Sequence, residues 1–267
     1  MQSYGPLFYS TGLAVRSTGT GPALVLLHGG SGSRTHWARN VPELASSFQV
    51  ITLDLPGFGE SARPSQEMPV SDYLAWVAHA VRLAVGEREF HLVGFSFGGA
   101  VAAGVSALLA SNGRAPTRLS LLSPAGFGPP AGRSIALEKV KGIDPADARV
   151  LREATARNLG RWMLAREPDP QDLAIDIHLR NVDLARFDSR QVSHQASLVD
   201  HVRTANVPTQ VLLGQEDPLI FPSLQERIDL LRHALPSARV EVIEGAGHWL
   251  AYEASDTINQ TIRQFHL

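Results

Sequence analysis

The sequence predicts an α/β protein: a mostly parallel sheet covered by helices on both faces and interrupted once by a helical insertion. Three observations predict it. Short apolar runs without a 3.6 period alternate with amphipathic stretches up to residue 125 and again from 208 onward, as strands joined by right-handed helical crossovers do. For about 75 residues between them, helical periods dominate and no convincing strand occurs. The run Phe90-His91-Leu92-Val93-Gly94-Phe95-Ser96-Phe97-Gly98-Gly99-Ala100 passes from strand-like to helix-like residues with no room for a loop.

The elements follow in order. Residues 7–16 read as a strand, and Ala23 to His28, with the continuous run ALVLL, as a central one. Thr35 to Phe48 is amphipathic, with Trp37, Val41, Leu44 and Ala45 on one side. Gln49 to Leu53 is a strand running into Asp54-Leu55-Pro56-Gly57-Phe58-Gly59-Glu60-Ser61, and a helix is expected from Ser71 to about Val85. Strand 90–95 and helix 97–111 come next, then a strand from Arg118 to Leu122. The boundaries predicted are a first core part over 1–125, a helical cap over 126–206 and a second core part over 207–267. Within the cap, Asp144 before Pro145 and Asp169 before Pro170 read as helix starts, an acceptor followed by proline at the first helical position. The second part holds a strand from Pro208, a helix from about Pro222 to His233, a strand from Arg239 to Ile243 and a closing helix near 251–265.

Composition narrows the function. The chain has 267 residues, 44% of them hydrophobic, and a formal net charge of -2, so no global field draws it to nucleic acid or an acidic membrane. Lys139 and Lys141 are the only lysines, and the arginines are dispersed and form no stripe, which argues against a phosphate-tracking groove. Cysteine is absent, which excludes disulfides, thiolate metal sites and a cysteine nucleophile. The first residues lack a basic and apolar leader, and no run approaches eighteen apolar residues. A cytoplasmic protein with small-molecule partners, without nucleic acid or membrane and with a homodimer as one option, is expected.

The chemistry concentrates on Ser96. A strand that becomes a helix over one residue forces that residue into a strained conformation, and Gly94 and Gly98 remove the Cβ atoms that would clash. The hydroxyl is thereby presented at the sheet edge as a nucleophile. It needs a base, and the base an orienting carboxylate. Reacting groups in such sheets sit at the carboxyl ends of strands. There Gln215-Glu216-Asp217-Pro218 offers Asp217, with Glu216 as runner-up, and Ala246-Gly247-His248-Trp249 offers His248. An oxyanion would be met by the Phe97 N–H and by one from the loop His28-Gly29-Gly30-Ser31-Gly32-Ser33, for which Gly30 is chosen, with Gly29 beside it against the substrate. His28 is read as bonding the backbone of that loop and Asp54 as the acceptor that fixes its Pro-Gly turn. Trp249 and Phe97 either line the substrate pocket or fill the core. His36, His178, His194 and His201 lack metal-ligand spacing, so no metal site is expected.

The order Ser96, Asp217, His248, with His28-Gly29-Gly30 and Asp54-Leu55-Pro56-Gly57-Phe58-Gly59 upstream, resembles the α/β-hydrolase fold family over nearly the whole chain outside the cap. That resemblance implies an eight-strand-type sheet, a serine hydrolase and no cofactor. Within the family, HGGSGSRTHW and GHWLAYEASDTIN resemble the loop and last helix of the hydrolases that cleave carbon-carbon bonds in ring-fission products of aromatic degradation. Plain esterases share the remaining residues, so ester and carbon-carbon substrates both stay open. Arg180 shares a predicted helical face with Leu173, Ile177 and Leu184. It is read either as a clamp for a substrate carboxylate, resembling the cap arginine of the carbon-carbon hydrolases, or as an ion pair with Asp176. Other activities carried by this fold are hydroxynitrile lyase, perhydrolase or haloperoxidase chemistry, and ligand reception without turnover.

Overall fold

The computed structural model describes residues 10–65, 67–130, 134–144 and 147–267. Among them seven strands form one sheet in the order β1-β3-β2-β4-β5-β6-β7. They are β1 Val15–Thr18, β2 Ala23–Leu27, β3 Gln49–Leu53, β4 Phe90–Phe95, β5 Leu119–Leu122, β6 Thr209–Gly214 and β7 Arg239–Ile243. Only β1 is antiparallel, pairing Val15 with Leu53. The sheet of the eight-strand type therefore shows seven strands here. The first expected strand begins later than predicted, at Val15, and residues 7–9 lie outside the described residues.

The inner strands β2, β4, β5 and β6 are buried on both faces because both faces are covered, whereas the edge strands β1 and β7 carry exposed polar residues. Side chains alternate along a strand, and β2 divides accordingly. Ala23, Val25 and Leu27 join one core with Tyr73, Val77 and Val101. Leu24 and Leu26 join the other with Trp37, Phe48, Trp249 and Ile258. The first core is closed by α2 Val70–Val85 and α3 Phe97–Ala110, the second by α1 Val41–Leu44 and the closing helices α9 Leu250–Glu253 and α10 Ser255–His266. Thr35 to Phe48 is not one helix but a 3₁₀ turn, Arg34–Trp37, followed by α1. Pro42 has no N–H to donate back to Ala38 O, so one hydrogen-bond ladder cannot run through both pieces, and buried Asn40 between them donates its side-chain amide to Asn259 Oδ1 at 2.9 Å.

The inserted segment holds α4 Ala148–Trp162, α5 Leu173–Leu184, α6 Arg190–Ser193 and α7 Leu198–Ala205. It does not stand apart as one body. Ala156 and Leu159 of α4, and Ala174, Ile175 and Ile177 of α5, pack with the second core, whereas α7 lies against α3 and contributes Leu198 and Val202 to the first. Its helix starts also differ from expectation. Pro145 is outside the described residues, and α4 begins at Ala148. Asp169 and Pro170 form a turn, not a helix start: Asp169 accepts from Gln171 N at 2.7 Å and Pro170 O from Arg152 Nε at 2.6 Å. Asp172 caps α5 instead, accepting from Ala174 N at 2.8 Å. The remaining helix, α8 Leu224–Ala234, covers the sheet beside β7. Among the described residues no helix is long and apolar enough to cross a membrane.

Candidate active site

Ser96 stands between β4 and α3 at φ 53°, ψ −118°, a backbone an L-residue holds only under constraint. The constraint is the close approach of α3 to the sheet. A Cβ on Gly94 would fall on Gly98 O and 2.7 Å from Ala102 Cβ, and one on Gly98 would fall on His28 O and 2.5 Å from Leu27 O. Any side chain at either position would push the helix off the sheet.

Two further loops at the carboxyl ends of strands reach Ser96. Asp217 follows β6 and His248 follows β7. His248 Nε2 lies 2.8 Å from Ser96 Oγ, and His248 Nδ1 lies 2.8 Å from Asp217 Oδ2. Asp217 is buried and also accepts from Leu219 N at 2.7 Å through Oδ1. Burial pushes its carboxyl up, but the charge and hydrogen bond of His248, with hydrogen bonds from Leu219 N and the Ser123 hydroxyl, outweigh burial and hold it below the usual carboxylate range. An ionised Asp217 only accepts, so His248 carries its proton on Nδ1 and accepts from Ser96 through Nε2. This is the arrangement in which an imidazole can take a hydroxyl proton at neutral pH. Glu216, the runner-up, is exposed, and its backbone N–H donates to Ala246 O at 2.9 Å.

The loop after β2 closes the other side. His28 is fully buried, and burial lowers its pKa despite nearby Asp54. Its Nε2 accepts from Leu55 N at 2.9 Å, which leaves the Nδ1 proton to bond Gly29 O at 2.7 Å. That carbonyl belongs to the peptide whose N–H is Gly30's, and in a trans peptide the two point opposite ways. Holding the oxygen therefore aims the Gly30 N–H. Neither Gly30 N nor Phe97 N donates to an acceptor among the described residues; Phe97 opens α3, where the first N–H groups have no partner within the helix. Asp54 does more than fix its own turn, accepting from Arg34 N at 2.7 Å, from Glu60 N at 3.0 Å and from the Arg34 guanidinium.

A cavity of about 330 Å³ opens over these groups, lined by Ser96, His248, Gly29, Gly30 and Phe97 among others. Its size suits a small ligand. Phe97 serves both expectations, since its ring also packs 5.6 Å from that of Phe58 in the core. Trp249 does not line the cavity. It is 1% exposed, packed between the tilted rings of His36 and Tyr252, and donates Nε1 to His36 O at 3.1 Å, so it is a core residue. Arg180 does not line it either. The buried stripe of α5 runs through Ala174, Ile177 and Asn181, leaving Leu173 and Arg180 outside. The Arg180 side chain is 65% exposed, 4.0 Å from Glu60 Oε1, while Asp176 pairs with Arg152. Both readings of Arg180 are thereby corrected. Sequence reasoning missed Ser123, Phe127, Met163 and Ser189, which line the cavity. Ser123, left-handed at φ 39°, had a signal in the Ser-Pro that ends a strand. The other three lay in the segment read only as helical cap.

Comparison with known proteins assigns the family. A model described as the alpha/beta hydrolase family matches residues 24–261. The chain belongs to that family. A dihydrolipoyllysine-residue acetyltransferase component of an acetoin cleaving system from Pseudomonas putida is 31% identical over 92% of this hydrolase. The hydrolase spans only 63% of that relative's length. The pimeloyl-(acyl-carrier protein) methyl ester esterase of Aeromonas hydrophila is 31% identical over 88% of the hydrolase and 92% of its own chain. The 2-hydroxymuconate semialdehyde hydrolase of Pseudomonas sp. strain CF600 is 32% identical over 90% and 84%.

Proposed function

We propose that the protein hydrolyses a carboxylic ester of small size through Ser96, His248 and Asp217. The observation that carries this reading is the chain of two 2.8 Å hydrogen bonds linking those residues at the floor of the cavity. Ser96 Oγ attacks the carbonyl carbon as its proton passes to His248 Nε2. Asp217 keeps the imidazole oriented and stabilises the imidazolium. The carbonyl oxygen, now negative, accepts from the N–H groups of Gly30 and Phe97, which face no competing acceptor among the described residues. The intermediate then collapses and His248 returns the proton to the departing alkoxide; water next attacks the acyl carbon as its proton passes to His248, and that proton goes back to Ser96 Oγ as the acid is released. No metal or organic cofactor enters this sequence. The inserted helices cap the cavity, whose walls include Met163 and Phe127 and so favour an apolar acyl or alcohol group.

Cleavage of a carbon-carbon bond beside a carbonyl is the second reading. Similarity to the 2-hydroxymuconate semialdehyde hydrolase favours it. A carbanion leaving group needs an electron sink and an anchored substrate, and the arginine expected to anchor it lies outside the cavity. Among the described residues two arginines do line it, and both are engaged: Arg190 holds Asp188 with Nε at 2.8 Å and Nη2 at 2.7 Å, and Arg227 donates Nη2 to Phe221 O at 2.8 Å with its guanidinium over the Phe127 ring. The ester reading is therefore preferred. The test is the ratio of kcat/KM for a 2-hydroxy-6-oxo-dienoate to that for a short p-nitrophenyl ester, with Ser96→Ala as blank. A ratio well below one is expected; a ratio well above one would replace the ester by the carbon-carbon bond.

A further inference from the structure

We propose that Asn181 of the inserted helix α5 is a positioning residue, through which the seating of the cap sets the loop that presents the Gly30 N–H. The inference rests on the oxyanion role proposed above for Gly30 and names what holds that role in place.

The loop Gly29–Gly32 has two ends. Its beginning is fixed from the core by β2 and by the His28 bond to Gly29 O. Its end runs into Ser33 and Thr35, and there the partner comes from the insertion. Asn181 Oδ1 accepts from Ser33 Oγ at 2.7 Å and from Thr35 Oγ1 at 3.1 Å, and the two hydroxyls lie 2.8 Å apart. Three polar groups thus close a triangle. Ser33 Oγ also accepts from Thr35 N at 3.2 Å, capping the 3₁₀ turn that follows. Asn181 is 1% exposed and Ser33 4% exposed, so water does not compete for these bonds.

The position carries a cost in stability. The other amide atom, Nδ2, is buried with no hydrogen-bond partner among the described residues. Turning the amide over would exchange one orphan atom for the other, because both near partners are hydroxyls that can donate or accept. A buried orphan on a helix that could have carried an apolar residue is destabilising. A second contact points the same way: a Cβ on Gly30 would lie 2.6 Å from Ser189 Oγ, at the start of α6. The insertion therefore bears on the loop at Gly30 itself and at its end. Removing the Asn181 amide frees the end to relax, and a displacement of a few tenths of an ångström turns the Gly30 N–H away from the oxyanion. Arg34 N stays bound to Asp54 Oδ1 at 2.7 Å, so the loop loses its register with the cap without unfolding.

The test uses Asn181→Ala and, from the other side of the triangle, Thr35→Val, with Thr35→Ser as the conservative variant. Turnover of a p-nitrophenyl ester and inhibition by a trifluoromethyl ketone, whose hemiketal oxygen occupies the oxyanion position, are measured for each. Asn181→Ala is expected to lower kcat roughly ten- to a hundredfold, with KM within about threefold, and to raise the ketone's inhibition constant by the same factor as kcat falls. Thr35→Val should do likewise, the double variant should fall no further than the worse single one, and Thr35→Ser should stay near wild type. A kcat for both Asn181→Ala and Thr35→Val within about threefold of wild type, with unchanged ketone inhibition, would overturn the inference even if thermal stability drops. Should Asn181→Ala not fold, the Thr35 pair decides alone. Ester turnover by Ser96→Ala at the wild-type rate would instead bring down the Ser96 reading, and this inference with it.

Discussion

Asp217→Asn isolates the step in which a proton is assigned to one side of an imidazole. The exchange keeps shape and removes charge, and the surrounding bonds dictate how the new amide sits. Leu219 N donates to Oδ1 at 2.7 Å, so that corner must remain the carbonyl oxygen, and the NH₂ group takes the corner 2.8 Å from His248 Nδ1. There it donates, which forces Nδ1 to accept and moves the ring proton to Nε2. His248 then faces Ser96 Oγ with a proton it cannot take up twice. The expected loss in kcat is about ten-thousandfold, the size seen when the same exchange reverses the tautomer in serine proteases, or about 5.5 kcal/mol in the barrier. Initial rates on p-nitrophenyl acetate, normalised by active-site titration, give the number, and thermal denaturation checks that the variant is folded. A folded Asp217→Asn enzyme within tenfold of wild type would refute the assignment of Asp217 and the proton path drawn from it.

Three other outcomes follow from the same structure. Gly98→Ala places a Cβ on His28 O and should cost about 3 kcal/mol along with most activity; urea melts near wild type would mean that α3 is not pressed on β2. His178, on α5, is pushed down to about 4 by burial. Its folded pKa lies below the unfolded 6.5, so the contribution is complete above about pH 6.5 and is lost as pH falls toward 4, by about 3 kcal/mol at the limit. His178→Phe should flatten the pH dependence of the urea midpoint across that window, and an unaltered slope would exclude His178 as its source. Arg180→Ala should leave kcat and KM within about twofold for neutral and carboxylate-bearing substrates alike, since an exposed pair at 4.0 Å is worth little; a selective rise in KM for the carboxylates would restore the clamp.

What could be read in the sequence was what a short window contains. The strand-to-helix passage at Ser96 needs two glycines two residues away, and its neighbours are apolar enough to name both elements. Ser96, Asp217 and His248 come together because each ends or follows a strand, and strand ends of a parallel sheet share one edge. Arg180 went wrong by a modest rotation of its helix. Leu173, Ile177 and Leu184 fit one face, but the buried stripe runs through Ala174 and Asn181, where a small residue and an amide meet the core loops. Periodicity weights those residues too lightly to locate the stripe. Trp249 was ambiguous for a related reason, since only tertiary contacts with His36 and Tyr252 decide which side of the loop its ring occupies. The walls of the cavity were the least legible part. Phe127, Met163 and Ser189 reach it from three places in the inserted segment, and no local pattern links them.

The central claim is that Ser96 is the nucleophile of an acyl transfer. Intact-mass analysis after incubation with a fluorophosphonate, followed by peptide mapping, tests it most directly. One phosphonyl group per chain is expected, on Ser96, with loss of ester hydrolysis in proportion to labelling and no label on Ser96→Ala. An unlabelled Ser96 in folded protein, or hydrolysis that survives full labelling, would contradict the account.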